Sequence, residues 1–331
     1  MAGVADVGRL GGWSFVDDRG AAVELPRPPR RLVAYVRAGA ALWDAGVRSQ
    51  LVAVYGSGHD GPSADPAKAG ALPIGEAPGG EAGSRAGNGA GGDTPVRYLG
   101  PGADVSVSAL LELRPELVVD VSYDGRGLYA LPEPIAAKLA SAGVPSVALS
   151  VSGDAPLERL LSRFAELGAG IAGAADQGAA AAQPADHIAA PLAAAEAEVR
   201  EAAAAAGERP AVVAVSATGP DGGYAARPHS WPELHRLSEL GVLLPEPPPG
   251  PGASWAETTW SAAAEWADRA AVILADTRVN AAPSPSDSPG WTELTSAARV
   301  VPWSPETPCS AAAHAAFFRS VAAALRVPQG S

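Results

Sequence analysis

Residues Ser108–Asp120, SALLELRPELVVD, decide how the rest of the chain is read. Leu110, Leu111 and Leu113 give the first half a helical apolar face, and Arg114-Pro115 stops it. The second half is a short apolar run ending in a carboxylate, the pattern of a strand buried on both faces. The same order returns at Ser261–Asp276, SAAAEWADRAAVILAD, with a small insertion. Each copy is a helix running into a buried strand. Each strand then opens into a polar loop, Ser122-Tyr123-Asp124 in one and Thr277-Arg278-Val279-Asn280 in the other, where open α/β sheets place their ligands. Two related α/β lobes with a ligand site between them follow from this repeat.

Working outward, residues 13–25 form two apolar-containing arms around Asp18-Arg19-Gly20 and predict a hairpin. Strands are expected at Leu32–Val36, Leu51–Tyr55, Glu116–Val121 and Val144–Val151, with helices at Gly39–Ala45, Val105–Arg114 and Glu133–Ala142. Leu157, Leu160, Leu161, Phe164, Leu167 and Ile171 make one stripe of an amphipathic helix, and helical spacing resumes at Ile188, Leu192, Ala195 and Val199. Beyond it the chain predicts strands at Ala211–Ser216, Val242–Leu244, Ala271–Asp276 and Val300–Val301. Helices are expected at Trp231–Leu240, Thr259–Ala267 and Ser310–Leu325. The expected division is an N-terminal lobe over 13–153, a helical connector over 154–207 and a C-terminal lobe over 208–328. Residues 75–94 contain nine Gly or Pro and almost nothing apolar, so a mobile, solvated insertion is expected there.

Length and composition agree with two lobes: 331 residues suggest about two domains, and 47% hydrophobic residues can fill their cores. With 24 basic against 36 acidic residues the net charge is −12, so no general field gathers phosphate backbones and nucleic acid is not an expected partner. Cys309 is the single cysteine, which excludes an intramolecular disulfide and a cysteine-cage metal site. Lys68 and Lys138 are the only lysines, and neither stands in a GxxxxGK[ST] context, so P-loop chemistry is excluded. The opening MAGVADVGRLGGWSF has no basic segment followed by an apolar one and no cysteine to take a lipid. The chain as given is therefore expected to be soluble and cytoplasmic, or extracytoplasmic and membrane-associated if it is a processed form.

WSFVDDRGAAVELPRPPRRLVAYV (13–36) followed by GAALWDAGV (39–47) resembles the opening of the ABC-transporter solute-binding proteins for ferric siderophores, haem and cobalamin. DVSVSALLELRPELVVDVS (104–122) resembles the same family's helix leading into a Pro-Asp-Leu-Val strand, with Glu116 in place of the commoner Asp. The resemblance runs from about residue 13 to 325. It implies an α/β, periplasmic-binding-protein-like fold: two Rossmann-like lobes, one long connecting helix drawn from 155–206, and a cleft that closes little on binding. It implies a non-catalytic monomer holding a small-molecule chelate, foremost a ferric siderophore, with an ABC permease as a candidate partner and no covalent cofactor. The alternative is a cytoplasmic enzyme, accessory protein or sensor on the same fold.

Several loops carry side chains suited to such a cleft. Tyr35 and Arg37 follow the first central strand, His59 and Asp60 the second, and Tyr123, Arg126 and Tyr129 the third, so hydrogen-bond donors from three loops converge. Tyr224, Arg227, His229, Trp231 and Arg278 hold the corresponding place in the second lobe. Trp231, Trp255 and Trp303 sit in or beside loops, where an indole offers a large apolar wall. Trp260 and Trp266 fall inside a helix and are expected in the core. The histidines at 59, 187, 229, 235 and 314 include no i, i+4 pair, so no protein-ligated metal is expected. Cys309, open to activation as a thiolate by the start of the last helix, and Ser310 with His314, i and i+4 on one face, are the nearest approach to a nucleophile site, with a small buried Cys and a cap residue as the competing reading. Acidic balance and scarce lysine favour a neutral or cationic ferric hydroxamate over a trianionic tris-catecholate.

Overall fold

In a computed structural model the described residues are 12–75, 95–151, 155–172, 185–206, 211–267, 270–279, 281 and 288–326. The insertion expected over 75–94 lies, beyond Gly75, outside them.

The chain opens with the antiparallel hairpin β1 (Trp13–Val16) and β2 (Ala22–Leu25). Asp17 closes its turn by accepting the amides of Arg19 at 3.0 Å and Ala21 at 2.9 Å, and Gly20 takes the positive φ of 80° that the turn requires. The first lobe is a six-stranded parallel sheet. Its chain order is β3 (Leu32–Tyr35), β4 (Leu51–Gly56), β5 (Ile74–Gly75), β6 (Val96–Pro101), β7 (Leu117–Ser122) and β8 (Ser146–Ser150). The spatial order is β5-β6-β4-β3-β7-β8, with every neighbouring pair parallel. Strand succession reverses between β3 and β7, and their carboxyl ends form the crevice such sheets offer to ligands. Asp17 and Asp18 of the hairpin accept the Ala148 and Ser150 amides at 3.0 and 2.8 Å, which blunts the β8 edge.

Helices α1 (Val36–Asp44), α2 (Pro66–Ala69), α3 (Val107–Glu112) and α4 (Glu133–Ser141) connect these strands. The stripe read from Leu157 to Ile171 forms α5 (Leu157–Ala172), with all six apolar residues buried, and the helix packs on α1 and β8 of the first lobe. Each such burial contributes roughly 1.5–3 kcal/mol. Gly168 lets α5 approach α1's end: a Cβ there would stand 2.5 Å from that of Ala45. α6 (Ala185–Ala205) packs on the last helix, α10 (Ala311–Arg326). The connector comprises two described helices, α5 and the longer α6; residues 173–184 lie outside the described chain.

The second sheet contains β9 (Ala211–Ala217), β10 (Gly222–Ala226), β11 (Trp255–Thr259), β12 (Ala270–Asp276) and β13 (Arg299–Trp303), in the spatial order β11-β10-β9-β12-β13. β9, β12 and β13 are parallel, matching β3, β7 and β8 in position. The likeness stops at β10, which returns antiparallel beside β9 and pairs antiparallel with β11. The second lobe's sheet is therefore mixed, with a parallel core of β9, β12 and β13. Glycine permits it: a Cβ on Gly223 would lie 2.1 Å from the Ser216 carbonyl oxygen. The strand expected at Val242–Leu244 is only an isolated bridge, Ala211 to Leu243. Helices α7 (Pro232–Glu239), α8 (Trp260–Trp266) and α9 (Pro289–Thr295) complete this lobe. Arg236 on α7 joins both connector helices, reaching Glu158 of α5 at 3.0 Å and Glu196 of α6 at 2.8 Å.

Candidate functional site

The carboxyl ends of the two sheets face each other. On the second lobe, Ser216, Ala217 and Thr218 at the end of β9, Tyr224 of β10, Trp255 of β11, Arg278 and Ala281 line a pocket of about 480 Å³. Tyr224 is 41% exposed and its ring centroid lies 6.4 Å from that of Trp255. Trp255 packs in turn on Trp231 at 5.0 Å and Trp303 at 5.9 Å. On the first lobe, Tyr123 and Tyr129 stack edge to face at 4.7 Å and remain 37% and 36% exposed.

Beneath these rings an ionic network crosses from lobe to lobe. Glu306, in the loop between β13 and α10, accepts the Tyr35 hydroxyl, stands 3.3 Å from the ammonium of Lys68 and 2.7 Å from Arg278 Nη1. Lys68 also pairs with Asp60 at 2.6 Å and, like that carboxylate, its side chain is sealed from solvent. Arg278 turns its Nε and Nη2 onto Asp276, the nearest contact being 2.7 Å. Asp276 accepts the Ser216 hydroxyl at 2.8 Å as well. Burial would raise the Glu306 carboxyl, yet Lys68 and Arg278 hold it down at about 2. Arg37, in the first turn of α1, donates to the Thr307 carbonyl at 2.9 Å and to the Tyr123 hydroxyl at 3.2 Å, another bond between lobes.

The structure thus brings Tyr224, Trp255 and Arg278 to the pocket and stands Tyr123 and Tyr129 on the facing lobe. It places the other candidates elsewhere. Tyr35 and Arg37 are buried, their polar groups spent on Glu306, Thr307 and Tyr123. Arg227 is turned onto the loop before β11, donating to the carbonyls of Gly252, Gly250 and Pro248 at 3.1, 3.3 and 3.4 Å. His229 pairs with Glu246 at 2.9 Å on the surface, and His59 is exposed at the end of β4. Trp231 donates to the Ser254 carbonyl at 3.1 Å behind Trp255. Trp303 is no loop residue: it ends β13, is 2% exposed, and donates its indole N–H to Glu233 at 3.2 Å. Trp255 likewise lies on a strand.

Lys68 and Glu306 escaped the sequence reading, because neither sits in a local pattern and their pairing joins opposite lobes. Burial pushes the Cys309 thiol up to about 11 and the His314 imidazole down to about 4, so at neutral pH the first is a thiol and the second uncharged. Activation of Cys309 by the start of α10 is overturned by that burial. Among the described residues no group of three His, Cys, Asp or Glu side chains is placed to hold a metal ion, and no helix is long and apolar enough to cross a membrane.

Two sheet-centred lobes with helical connectors, their facing sheet ends carrying the aromatic pocket on the second lobe, define the fold of the helical-backbone solute-binding proteins, the group to which the ferric-siderophore and haem receptors belong. The comparisons with solved structures bear this out. The chain is similar to DesE, a ferric-siderophore receptor protein from Streptomyces coelicolor, at 27% identity and a TM-score of 0.74 over 95% of this chain and 98% of that one. It shares its fold with the siderophore periplasmic binding protein from the fuscachelin gene cluster of Thermobifida fusca, at 15% identity and a TM-score of 0.56 over 90% of this chain and 97% of that one. It shares it also with RhuT, a periplasmic heme-binding protein from Roseiflexus sp. RS-1, at 14% identity and a TM-score of 0.54 over 90% and 98%. No protein-family model matches the chain, and no curated protein matches it.

Proposed function

We propose that this protein captures a metal chelate, foremost a ferric siderophore, between its lobes and hands it to an ABC-type permease. The carrying observation is the end-to-end likeness to a ferric-siderophore receptor, which covers both lobes and the connector alike. The pocket is consistent with such a ligand: it offers aromatic walls and hydrogen-bond donors but no metal-binding cluster among the described residues, so iron would arrive already wrapped. The three solved structures above are named as receptors or binding proteins, which favours binding over catalysis. Two of them are named periplasmic, and a setting outside the cytoplasmic membrane, in place of the cytoplasmic one expected from the opening residues, is part of the proposal.

Titration with a ferric tris-hydroxamate, a ferric tris-catecholate and ferric haem, followed by tryptophan emission, tests the reading. Quenching that saturates at micromolar chelate or below supports it, since Trp255 stands at the pocket wall. No quenching and no calorimetric heat with any of the three would sink it. Mass spectrometry of the protein purified from its native cells would name the ligand.

A further inference from the structure

Arg278 is the one cation among the described residues that line the pocket. An arginine so placed would ordinarily seize an anionic ligand by paired charge-assisted hydrogen bonds. Here the guanidinium is already committed: Nε and Nη2 to Asp276, Nη1 to Glu306, with contacts as short as 2.7 Å. The side chain of Asp276 is fully buried and its Oδ2 also accepts Ser216, so the carboxylate is held in place by its surroundings. It cannot swing away cheaply to release the arginine.

The charges behind Arg278 tell the same way. Lys68 is matched by Asp60 and shares Glu306, and Arg37 donates to a carbonyl and a phenol. Three cations, Arg37, Lys68 and Arg278, thus face three carboxylates, Asp60, Asp276 and Glu306. Asp65, which accepts the Val279 amide at 3.0 Å, and Glu233 under Trp303 add carboxyl groups to this floor and no cations. Arg227 and Arg126 line no part of the pocket; the first is held by its loop and the second stands exposed after β7. What Arg278 keeps for a ligand is hydrogen-bond donation without net positive charge, suited to carbonyl or hydroxamate oxygens.

Resting on the chelate-binding reading, we propose that Asp276 is a specificity-determining residue: by cancelling the charge of Arg278 it fits the pocket to chelates that carry no net negative charge and disfavours anionic ones. A trianion entering this site would meet a floor with no surplus positive charge and lose its own hydration without a free cation in return.

The test compares a neutral ferric tris-hydroxamate with a trianionic ferric tris-catecholate on the full chain, by tryptophan quenching at one fixed ionic strength. The natural protein is expected to bind the hydroxamate at least about tenfold more tightly, the scale of one unpaired unit charge near a protein surface. Asp276→Asn keeps the shape and leaves the three cations facing two carboxylates, with Glu306 still on Nη1, so the preference is expected to shrink by about tenfold, through tighter catecholate binding. Arg278→Gln leaves Asp276 without its cation and is expected to widen the preference, which keeps the proposal testable if the asparagine variant does not fold. Equal or tighter binding of the catecholate, or of haem with its two propionates, by the natural protein overturns the proposal while leaving chelate binding intact. So does an unchanged preference in the folded variants. Failure of every chelate to bind the natural protein instead sinks the reading on which it rests.

Discussion

The ammonium of Lys68 in the first lobe stands 3.3 Å from the carboxylate of Glu306 in the second, and the two side chains are 0% and 4% exposed. With Asp60 on the other side of the same ammonium at 2.6 Å, Lys68 compensates two buried carboxylates. Replacing both members of a buried pair can be nearly neutral, but removing one leaves a charge stranded. Lys68→Met is therefore expected to lower stability by about 3–5 kcal/mol in denaturant unfolding, and Lys68→Met with Asp60→Asn to recover part of it. A loss within about 0.5 kcal/mol, the range of ordinary surface changes, would refute this role.

Trp255 and Trp303 touch each other at 5.9 Å yet should answer substitution differently. Trp255 is half-buried and lines the pocket, whereas Trp303 is 2% exposed and holds Glu233. Trp255→Ala is expected to weaken ferric-chelate binding with a small change in melting temperature. Trp303→Ala is expected to cost about 3–5 kcal/mol of stability, as truncation of a buried aromatic does. Equal effects of the two on affinity, with stability unchanged in both, would place Trp303 at the ligand.

Cys309 is expected to resist alkylation. Its thiol is 1% exposed and pushed by burial to about 11, so almost no thiolate exists at pH 8. Iodoacetamide at that pH should label the folded protein far more slowly than the unfolded one. Labelling at the unfolded rate would return Cys309 to consideration as a reactive group.

These contrasts mark where sequence reading stops. Helix α5 was legible because its burial is periodic along one segment, and β3, β7, β9 and β12 because each is a short apolar run between breakers. β10 was not, since GGYAA has neither alternation nor bulk and its place depends on glycines that admit neighbouring backbone. Tyr123, Tyr224 and Arg278 could be placed near the cleft because a residue just past a parallel strand, or on a hairpin beside it, points to one sheet end. Whether such a residue is free is a different matter. Arg37 and Tyr35 sit at the right strand end and are consumed by Thr307, Tyr123 and Glu306, partners that no local spacing reveals. The Asp276–Arg278 pair is different: the two residues stand two apart, so their mutual neutralisation is a local feature of the sequence.

Glu233 provides the clearest pH signature. It is 4% exposed, and burial raises its carboxyl from the model-peptide value of 4.5 to about 7, against the opposing pull of Arg37 and the Trp303 indole. The folded chain thus holds this proton between pH 4.5 and 7 while the unfolded chain releases it, so the folded state binds more protons across that window. Stability from this group is fully present at the acid end and falls as pH rises, reaching its full penalty above about 7. Glu233→Gln preserves an oxygen to accept the Trp303 N–H and removes the ionisation. The variant is expected to match the natural protein near pH 4 and to exceed it by about 1–3 kcal/mol near pH 8, the energy of a shift of this size. Urea unfolding of both proteins at the two pH values measures the difference. His314, lowered to about 4 by burial, acts with the opposite sign, costing stability as pH falls from 6.5 toward 4, but it is common to both proteins and cancels in the comparison. A gain that is the same at both pH values would assign the effect to packing and defeat the ionisation argument.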